Sequence, residues 1–381
     1  MMVGYFDNAA TTFTKPDGMY EFMAQYMKEN GANVGRGSYK ASVEGGKHLS
    51  ALRRKILQLI AAPETKTTVI TPSATIALNT IIFGLELKEG DTVYISHFEH
   101  NAILRPLYAL QKQRGLQIKF LAMSKENKYD FDLQQIEKDF SMQNPAAVFI
   151  SQVSNVLGVV APVDKISKIA KQFSAIVTVD AAQACGILDC DLSCIDYYVF
   201  AGHKTLLGPC GIGGFICDRN SSLRPLLFGG TGIDSANKEM PKSIPERFEA
   251  GSLNLLAIIG LEYSVDWILA NKRKMRDLEK NNLNKLYKIL SKYNYLKIIT
   301  PYPLSNGIIS CKVNGYTSDE FGNILMERGI AIRSGLHCAP ESHRYIHSFP
   351  EGLVRFSVSC FTSDNDFAML DKVLQDLEEN M

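Results

Sequence analysis

Asp196-Tyr-Tyr-Val-Phe-Ala-Gly-His-Lys-Thr-Leu-Leu-Gly-Pro-Cys-Gly-Ile-Gly-Gly-Phe215 is the stretch on which the fold turns. Residues 197–200 are aromatic and β-branched and read as a short buried strand, which Gly202 breaks just before His203 and Lys204. A lysine is thereby delivered at a strand end. Glycines at 208, 211, 213 and 214 let backbone pass close to something bulky before a strand resumes over 213–217. A lone lysine in such a loop is ordinarily solvated. A lysine that attaches an aldehyde cofactor needs partners elsewhere in the chain.

Outward from this stretch, β-branched runs at 67–71, 92–96, 117–121, 147–151 and 176–180 alternate with helical patterns near 75–85, 100–114, 132–141 and 164–173. That alternation predicts an α/β fold with a mostly parallel sheet covered by helices on both faces. Helices are expected over 20–30 and 43–62 before it, separated by a breaker-rich loop at 31–37. Beyond residue 255 come two amphipathic segments, 255–270 and 272–293. Strands at 296–300, 307–313, 330–333 and 353–359 follow, with helices at 318–328 and 363–378. The chain therefore divides into a large α/β domain over 13–257 and a smaller α+β C-terminal domain over 258–381, to which 1–12 is expected to be joined.

The chain has 381 residues, 46% of them hydrophobic, enough to bury a large core. With 41 Lys and Arg against 40 Asp and Glu, it offers no electrostatic ground for a nucleic-acid or anionic-membrane partner. Small-molecule chemistry is the expectation. The first residues show no basic patch followed by an apolar run, so no signal peptide is expected. The uncharged stretches 67–85 and 146–163 carry proline, asparagine and hydroxyl side chains and do not read as membrane spans. Eight scattered cysteines suit a reducing cytoplasm. Cys185, Cys190 and Cys194 lie close together but lack the spacing of a metal site.

In a parallel α/β sheet, ligands gather at the carboxyl ends of the strands. The run at 176–180 ends in Asp180, followed by Gln183, so Asp180 and Lys204 end consecutive strands. Pyridoxal phosphate (PLP) needs that pair, a lysine for its aldehyde and an anion for its ring nitrogen. Asn155 follows the strand at 147–151 and could donate to a ring oxygen; a turn asparagine is its ordinary role. Thr71-Pro-Ser-Ala-Thr75 opens a helix, where backbone N–H groups and the hydroxyls of Ser73 and Thr75 could hold phosphate. His100 follows the strand at 92–96 and could stack on a ring and move protons. Cys338, in the loop Ile332-Arg-Ser-Gly-Leu-His-Cys-Ala-Pro340, has the glycine- and proline-bounded setting of a nucleophilic thiol, which the other seven cysteines lack. Arg355 lies between apolar neighbours and must be paired, either by a substrate carboxylate or by an internal carboxylate.

Seven fragments in order carry a resemblance: Tyr5-Phe-Asp-Asn-Ala-Ala-Thr-Thr12, Glu99-His-Asn-Ala-Ile-Leu-Arg-Pro106, Ser154-Asn-Val-Leu-Gly158, Val179-Asp-Ala-Ala-Gln183, Gly202-His-Lys204, Arg247-Phe-Glu-Ala-Gly-Ser252 and Arg333-Ser-Gly-Leu-His-Cys338. Over nearly its whole length the chain resembles the cysteine desulfurases and selenocysteine lyases, class V members of the aminotransferase-like PLP enzymes. The resemblance implies the PLP-dependent transferase fold (fold type I) and conversion of L-cysteine to L-alanine with a persulfide on Cys338; selenocysteine lyase or transaminase activity are the alternatives. It implies Lys204 as the Schiff-base lysine, Asp180 at the pyridine nitrogen, Asn155 and Gln183 at the ring oxygen, and His100 stacked on the ring. Ala74, Thr75 and His203 fall at the phosphate; Asn8, Arg36 and Arg355 fall at the substrate. It further implies a homodimer in which Ser252 reaches its partner's phosphate site, and a separate sulfur-acceptor protein. Two positions depart from the family pattern: Ala201 and Ala74 stand where hydroxyl side chains are common.

Overall fold

The computed structural model describes residues 4–379 except 34–36, 38 and 304–305. Arg36, expected at the substrate, lies outside the described residues. In chain order the elements are β1 (Gly4–Tyr5), α1 (Met19–Asn30), α2 (Lys40–Leu59), β2 (Lys66–Thr71), α3 (Ala74–Gly84), β3 (Thr92–Ile95), α4 (Asn101–Arg114), β4 (Gln117–Phe120), α5 (Leu133–Met142), β5 (Pro145–Ser151), α6 (Val163–Gln172), β6 (Ile176–Asp180), β7 (Tyr197–Ala201) and β8 (Gly213–Asp218). They continue with α7 (Leu255–Leu290), β9 (Leu296–Ile298), β10 (Ile308–Val313), α8 (Ser318–Glu327), β11 (Ile330–Ala331), β12 (Arg333–Gly335), α9 (Pro340–Tyr345), β13 (Leu353–Ser357) and α10 (Asp364–Glu378).

Seven strands form the central sheet in the order β2-β8-β7-β6-β5-β3-β4. Only β8 runs against its neighbours, pairing antiparallel with both β2 and β7, so the sheet is mostly parallel. Its strands are apolar on both faces, as helices on either side require: Val148 and Ile150 pack in one cluster and Ala147 and Phe149 in the other. The glycines that follow Lys204 serve this packing. A Cβ on Gly214 would come within 2.2 Å of the Val69 carbonyl oxygen and 2.6 Å of the Phe200 ring. One on Gly213 would meet the Ala74 nitrogen at 2.7 Å. The bulky objects are thus the chain's own β2, Phe200 and the start of α3, which β8 brings beside the end of β7.

A second, antiparallel sheet, β12-β13-β10-β9, packs against α8 and α10 around Phe321, Phe356 and Leu370. Both helices open with capping boxes, Thr317 with Glu320 and Ser363 with Asp366. Residues 4–7 join this layer: β1 pairs with β11, Asp7 bridges to Ser357, and Phe6 is fully buried in its core.

Two expectations are corrected. The segments at 255–270 and 272–293 are one helix of 36 residues, α7. The change from apolar to charged composition marks where it leaves the core, and no glycine or proline at that point breaks it. The expected strand at 330–333 is two, because the chain changes partners at Ile332, from β1 to β13. The short helix α9 had no expectation at all.

Candidate active site

β6 and β7 are adjacent and parallel, with Asp180 opposite Val199, so Asp180 and the loop bearing Lys204 emerge on the same edge of the sheet. There they line a pocket of about 550 Å³. Ala74 and Thr75 enter it from the start of α3, His100 from the loop after β3, Asn155 from the loop after β5, and Gln183 and His203 from beside Asp180 and Lys204. Ala201 forms part of the wall.

Electrostatics follow from burial. Lys204 is only partly exposed, and no hydrogen bond or ion pair engages its Nζ among the described residues. Desolvation pulls its pKa below the ordinary lysine value, the Asp180 carboxylate opposes that pull, and Arg355 and Arg333 add to it. Asp180 is 8% exposed, and burial raises its pKa against the Ala182 N–H, 2.9 Å from Oδ1, and the charge of Lys204. His100 caps α4, its Nδ1 accepting the Ala102 N–H at 3.0 Å. Burial and the cations of Lys204, Arg333, Arg355 and Arg105 lower its pKa to about 4, so the ring is neutral with its proton on Nε2. His203 is likewise lowered to about 4, by burial and then by Lys204 and Lys15.

At the α3 end, the pocket offers backbone N–H groups and one imidazole. The Ser73 hydroxyl is occupied in capping α3, accepting the Ile76 N–H at 3.2 Å. The N–H groups of Ala74 and Thr75 open the helix and have no intrahelical acceptor, and the Thr75 side chain is exposed. His203 Nδ1 is buried without a partner among the described residues. An anion here satisfies that orphan and the free N–H groups, while a protonated ring nitrogen beside Asp180 relieves the cost of burying its carboxylate. The pocket therefore fits PLP.

Several predicted residues have more to hold than expected. Asn155 donates from Nδ2 to the His337 carbonyl at 2.7 Å, and Gln183 from Nε2 to the Ala9 carbonyl at 2.7 Å, leaving each amide one N–H for the pocket. Asn8 lines a neighbouring cavity, and its amide donates to the Ser357 carbonyl at 2.9 Å, so it anchors the N-terminal segment to β13. Ser252 is exposed and lines a separate cavity beside α3, outside this chain's own pocket. Arg355 is 2% exposed and pairs with Asp7: Nη2 lies 2.7 Å from Oδ1, Nη1 donates to the Asn155 carbonyl at 2.8 Å, and Nε has no partner among the described residues.

Cys338 is exposed at the rim, with φ +57° following His337 at +50°. Exposure alone does not single it out, because Cys210 is exposed too. Attachment does: the Cys338 carbonyl accepts the Asn101 N–H at 2.6 Å, next to His100, and the His337 carbonyl is held by Asn155.

Four residues escaped the sequence. Thr12 donates from Oγ1 to the Lys204 carbonyl at 2.9 Å, and Lys15 from Nζ to the His203 carbonyl at 3.3 Å, so the N-terminal motif clamps the lysine loop. Arg333 stands opposite Arg355 across β12 and β13 with no ion pair among the described residues. Glu99, fully buried, accepts the Ser96 hydroxyl, the Ser151 hydroxyl and the Ser151 N–H at 2.5, 2.7 and 2.8 Å. It was visible in the sequence only as the neighbour of His100.

Burial raises Glu99 to about 7, with Asp180 adding to the shift. A folded-state pKa above the unfolded one contributes stability that is complete below about 4.5 and lost as pH rises to about 7. Glu99→Gln is therefore expected to remove that pH-dependent component, at most about 3 kcal/mol. Urea titrations of both proteins at pH 5 and pH 8 check this; an unchanged difference between the two pH values contradicts it.

The aminotransferase class-V family model matches residues 4–370. The chain belongs to this family. Probable cysteine desulfurases from Methanothermobacter thermautotrophicus and Pyrococcus abyssi are each 30% identical to it, covering 98% and 99% of this chain and 94% of each relative. The apo structure of a cysteine desulfurase from Thermococcus onnurineus superposes with a TM-score of 0.89 at 29% identity, over 100% of this chain and 95% of that one. A cysteine desulfurase from Escherichia coli, 24% identical, shares the fold with a TM-score of 0.86 over 100% of this chain and 95% of that one. The class V assignment confirms the expected fold type I architecture and implies dependence on PLP. Among the described residues no helix is long and apolar enough to cross a membrane.

Proposed function

We propose that this chain is a PLP-dependent L-cysteine desulfurase that takes the substrate sulfur onto Cys338. The observation that carries it is the bond from the Asn101 N–H to the Cys338 carbonyl, which ties the loop of an exposed thiol to the rim holding His100, Asp180 and Lys204.

PLP bound here supplies an electron sink for the substrate's α-carbon. Lys204 would attach it, Asp180 would pair with the ring nitrogen, Asn155 and Gln183 would donate their remaining N–H groups to the ring oxygen, and Ala74, Thr75 and His203 would hold the phosphate. Lys204, its amine made less basic by burial, takes and returns the proton at the substrate Cα. His100, neutral with its proton on Nε2, would lie against the ring and offer that proton to a reacting group. The Cys338 thiolate forms an S–S bond with the substrate sulfur as the C–S bond breaks; that electron pair stays on carbon, which takes a proton to give alanine. Arg355, with Nε still unpartnered, meets the substrate carboxylate beside the exposed Arg333. Arg355→Gln is expected to raise KM for cysteine by about 10²-fold with a smaller effect on kcat. Steady-state kinetics check this, and an unchanged KM assigns Arg355 to holding Asp7 and the Asn155 carbonyl instead.

The division into a cofactor-binding unit at 13–257 and a unit at 258–381 joined by 1–12 is part of the proposal; α7 runs through that division and couples the two mechanically. A homodimer is supported by Ser252 facing away from its own pocket and by exposed Leu227, Phe228 and Leu256 nearby. Free cysteines support a reducing cytoplasm, and the exposed Cys338 suits transfer to an acceptor protein. The test is incubation of the PLP-loaded protein with cysteine and a thiol reductant. Alanine and sulfide in equal amounts are expected. Keto acid without alanine would assign transaminase chemistry instead, and faster release of selenium from selenocysteine would assign a lyase.

A further inference from the structure

Two buried histidines follow the Cys338 loop into the core. His337 is 4% exposed and His343, on α9, is fully buried, as is Ser348 beyond it. The two imidazoles stack at 5.6 Å and 20°. Contacts run in one direction: Ser348 Oγ lies 2.8 Å from His343 Nδ1, His343 Nε2 lies 3.5 Å from His337 Nδ1, and His337 Nε2 lies 3.3 Å from the Arg333 carbonyl. The last acceptor can only accept, so His337 carries its proton on Nε2 and presents a bare Nδ1. His343 must then donate from Nε2, which leaves its Nδ1 to accept the Ser348 hydroxyl. With both rings neutral every donor in the series has an acceptor, and burial lowers the pKa of both, His343 to about 4 against the opposing pull of a hydrogen bond to the Leu336 backbone.

The series spans a strained turn. His337 and Cys338 both sit at positive φ without being glycine, a conformation that costs about 1–3 kcal/mol per residue and persists only where surrounding contacts over-determine it. Asn155 and Asn101 hold this turn from the pocket side, through the His337 and Cys338 carbonyls. The histidine pair holds the same turn through the His337 ring, whose Nε2 lies 3.3 Å from the Arg333 carbonyl and whose Nδ1 lies 3.5 Å from His343 Nε2. α9 is itself fastened to the loop after β3 by the Ser342 hydroxyl on the His97 carbonyl at 3.1 Å and by His97 stacked on Tyr345 at 4.2 Å.

We propose that His343, acting through His337 and oriented by Ser348, is a positioning residue that fixes the Cys338 thiol for attack on the substrate sulfur. The proposal rests on the desulfurase reading and adds a requirement for a residue that touches neither substrate nor cofactor.

The test uses the PLP-loaded enzyme. His343→Leu is expected to lower kcat for alanine formation about 10- to 100-fold, the scale on which misplacement of a reacting group acts. Bound cofactor and KM for cysteine stay as in the parent, and alkylation of Cys338 by iodoacetamide changes rate. His343→Gln, whose amide can donate to His337 and accept from Ser348, is expected to recover most of the rate. Ser348→Ala, a smaller change that guards against misfolding of the leucine variant, is expected to show the same kcat loss in milder form. Parental kcat in both His343→Leu and Ser348→Ala overturns the proposal, as does a glutamine variant no better than leucine, or a loss that appears as lost cofactor. If the parent itself makes no alanine from cysteine, the desulfurase reading fails and the positioning role fails with it; a fully active parent with fully active variants sinks the positioning role alone.

Discussion

Replacing Lys204 by alanine is expected to abolish alanine formation from cysteine, by a factor of at least about 10³, and to leave PLP removable by dialysis. The size follows from two roles meeting in one amine. Among the described residues Lys204 Nζ is the only primary amine lining the pocket, and none of them engages it, so it is free both to attach the cofactor and to move the proton at the substrate Cα. Proton transfer by a positioned group alone is worth about 10²–10⁴ in rate. Borohydride treatment of the parent should fix the cofactor on the peptide containing Lys204, and the alanine variant should retain none. A variant that kept covalent PLP would place the attachment elsewhere.

Cys338→Ser is expected to lose desulfuration by a comparable factor while keeping cofactor and colour. Serine preserves the turn and its carbonyl, and therefore the bond from Asn101, but its hydroxyl is a far weaker nucleophile toward sulfur than a thiolate. The two variants thus fail differently. Lys204→Ala fails at the cofactor, and Cys338→Ser binds cofactor and substrate yet cannot accept sulfur. Cys210→Ser is the control: it removes the other exposed thiol and should leave turnover unchanged.

What could be seen in the sequence followed from periodicity and strand ends. The alternation of β-branched runs with helical patterns located the central sheet, and the positions of Asp180 and Lys204 after consecutive runs brought them to one edge because β6 and β7 are neighbours. Less visible were pairings across long separations. Nothing local in Arg355 shows that Asp7 lies 2.7 Å away, since that contact joins the N-terminal segment to β13 across 348 positions. Nor does the Asn8-Ala-Ala-Thr-Thr12 motif show that its threonines clamp the carbonyls of His203 and Lys204. The same holds for His343, which reads as an unremarkable residue of a short helix until its ring is found against His337. Ala74 and Ala201 looked like lost phosphate ligands; the unpartnered Nδ1 of His203 and the first N–H groups of α3 stand free beside them, by geometry that no residue type announces. The glycines after Lys204 were visible as close-approach positions, but what approaches them, the Val69 carbonyl and the start of α3, depends on β8 running antiparallel between β2 and β7.

The central claim is that substrate sulfur passes to Cys338 at the pocket built around Lys204. Its most direct test is mass spectrometry of the PLP-loaded protein after one equivalent of cysteine without reductant. One added sulfur atom is expected on the peptide containing Cys338, matched by one equivalent of alanine and removed by a thiol. Alanine released with the added sulfur on the peptide containing Cys210, or with no protein-bound sulfur at all, would contradict it.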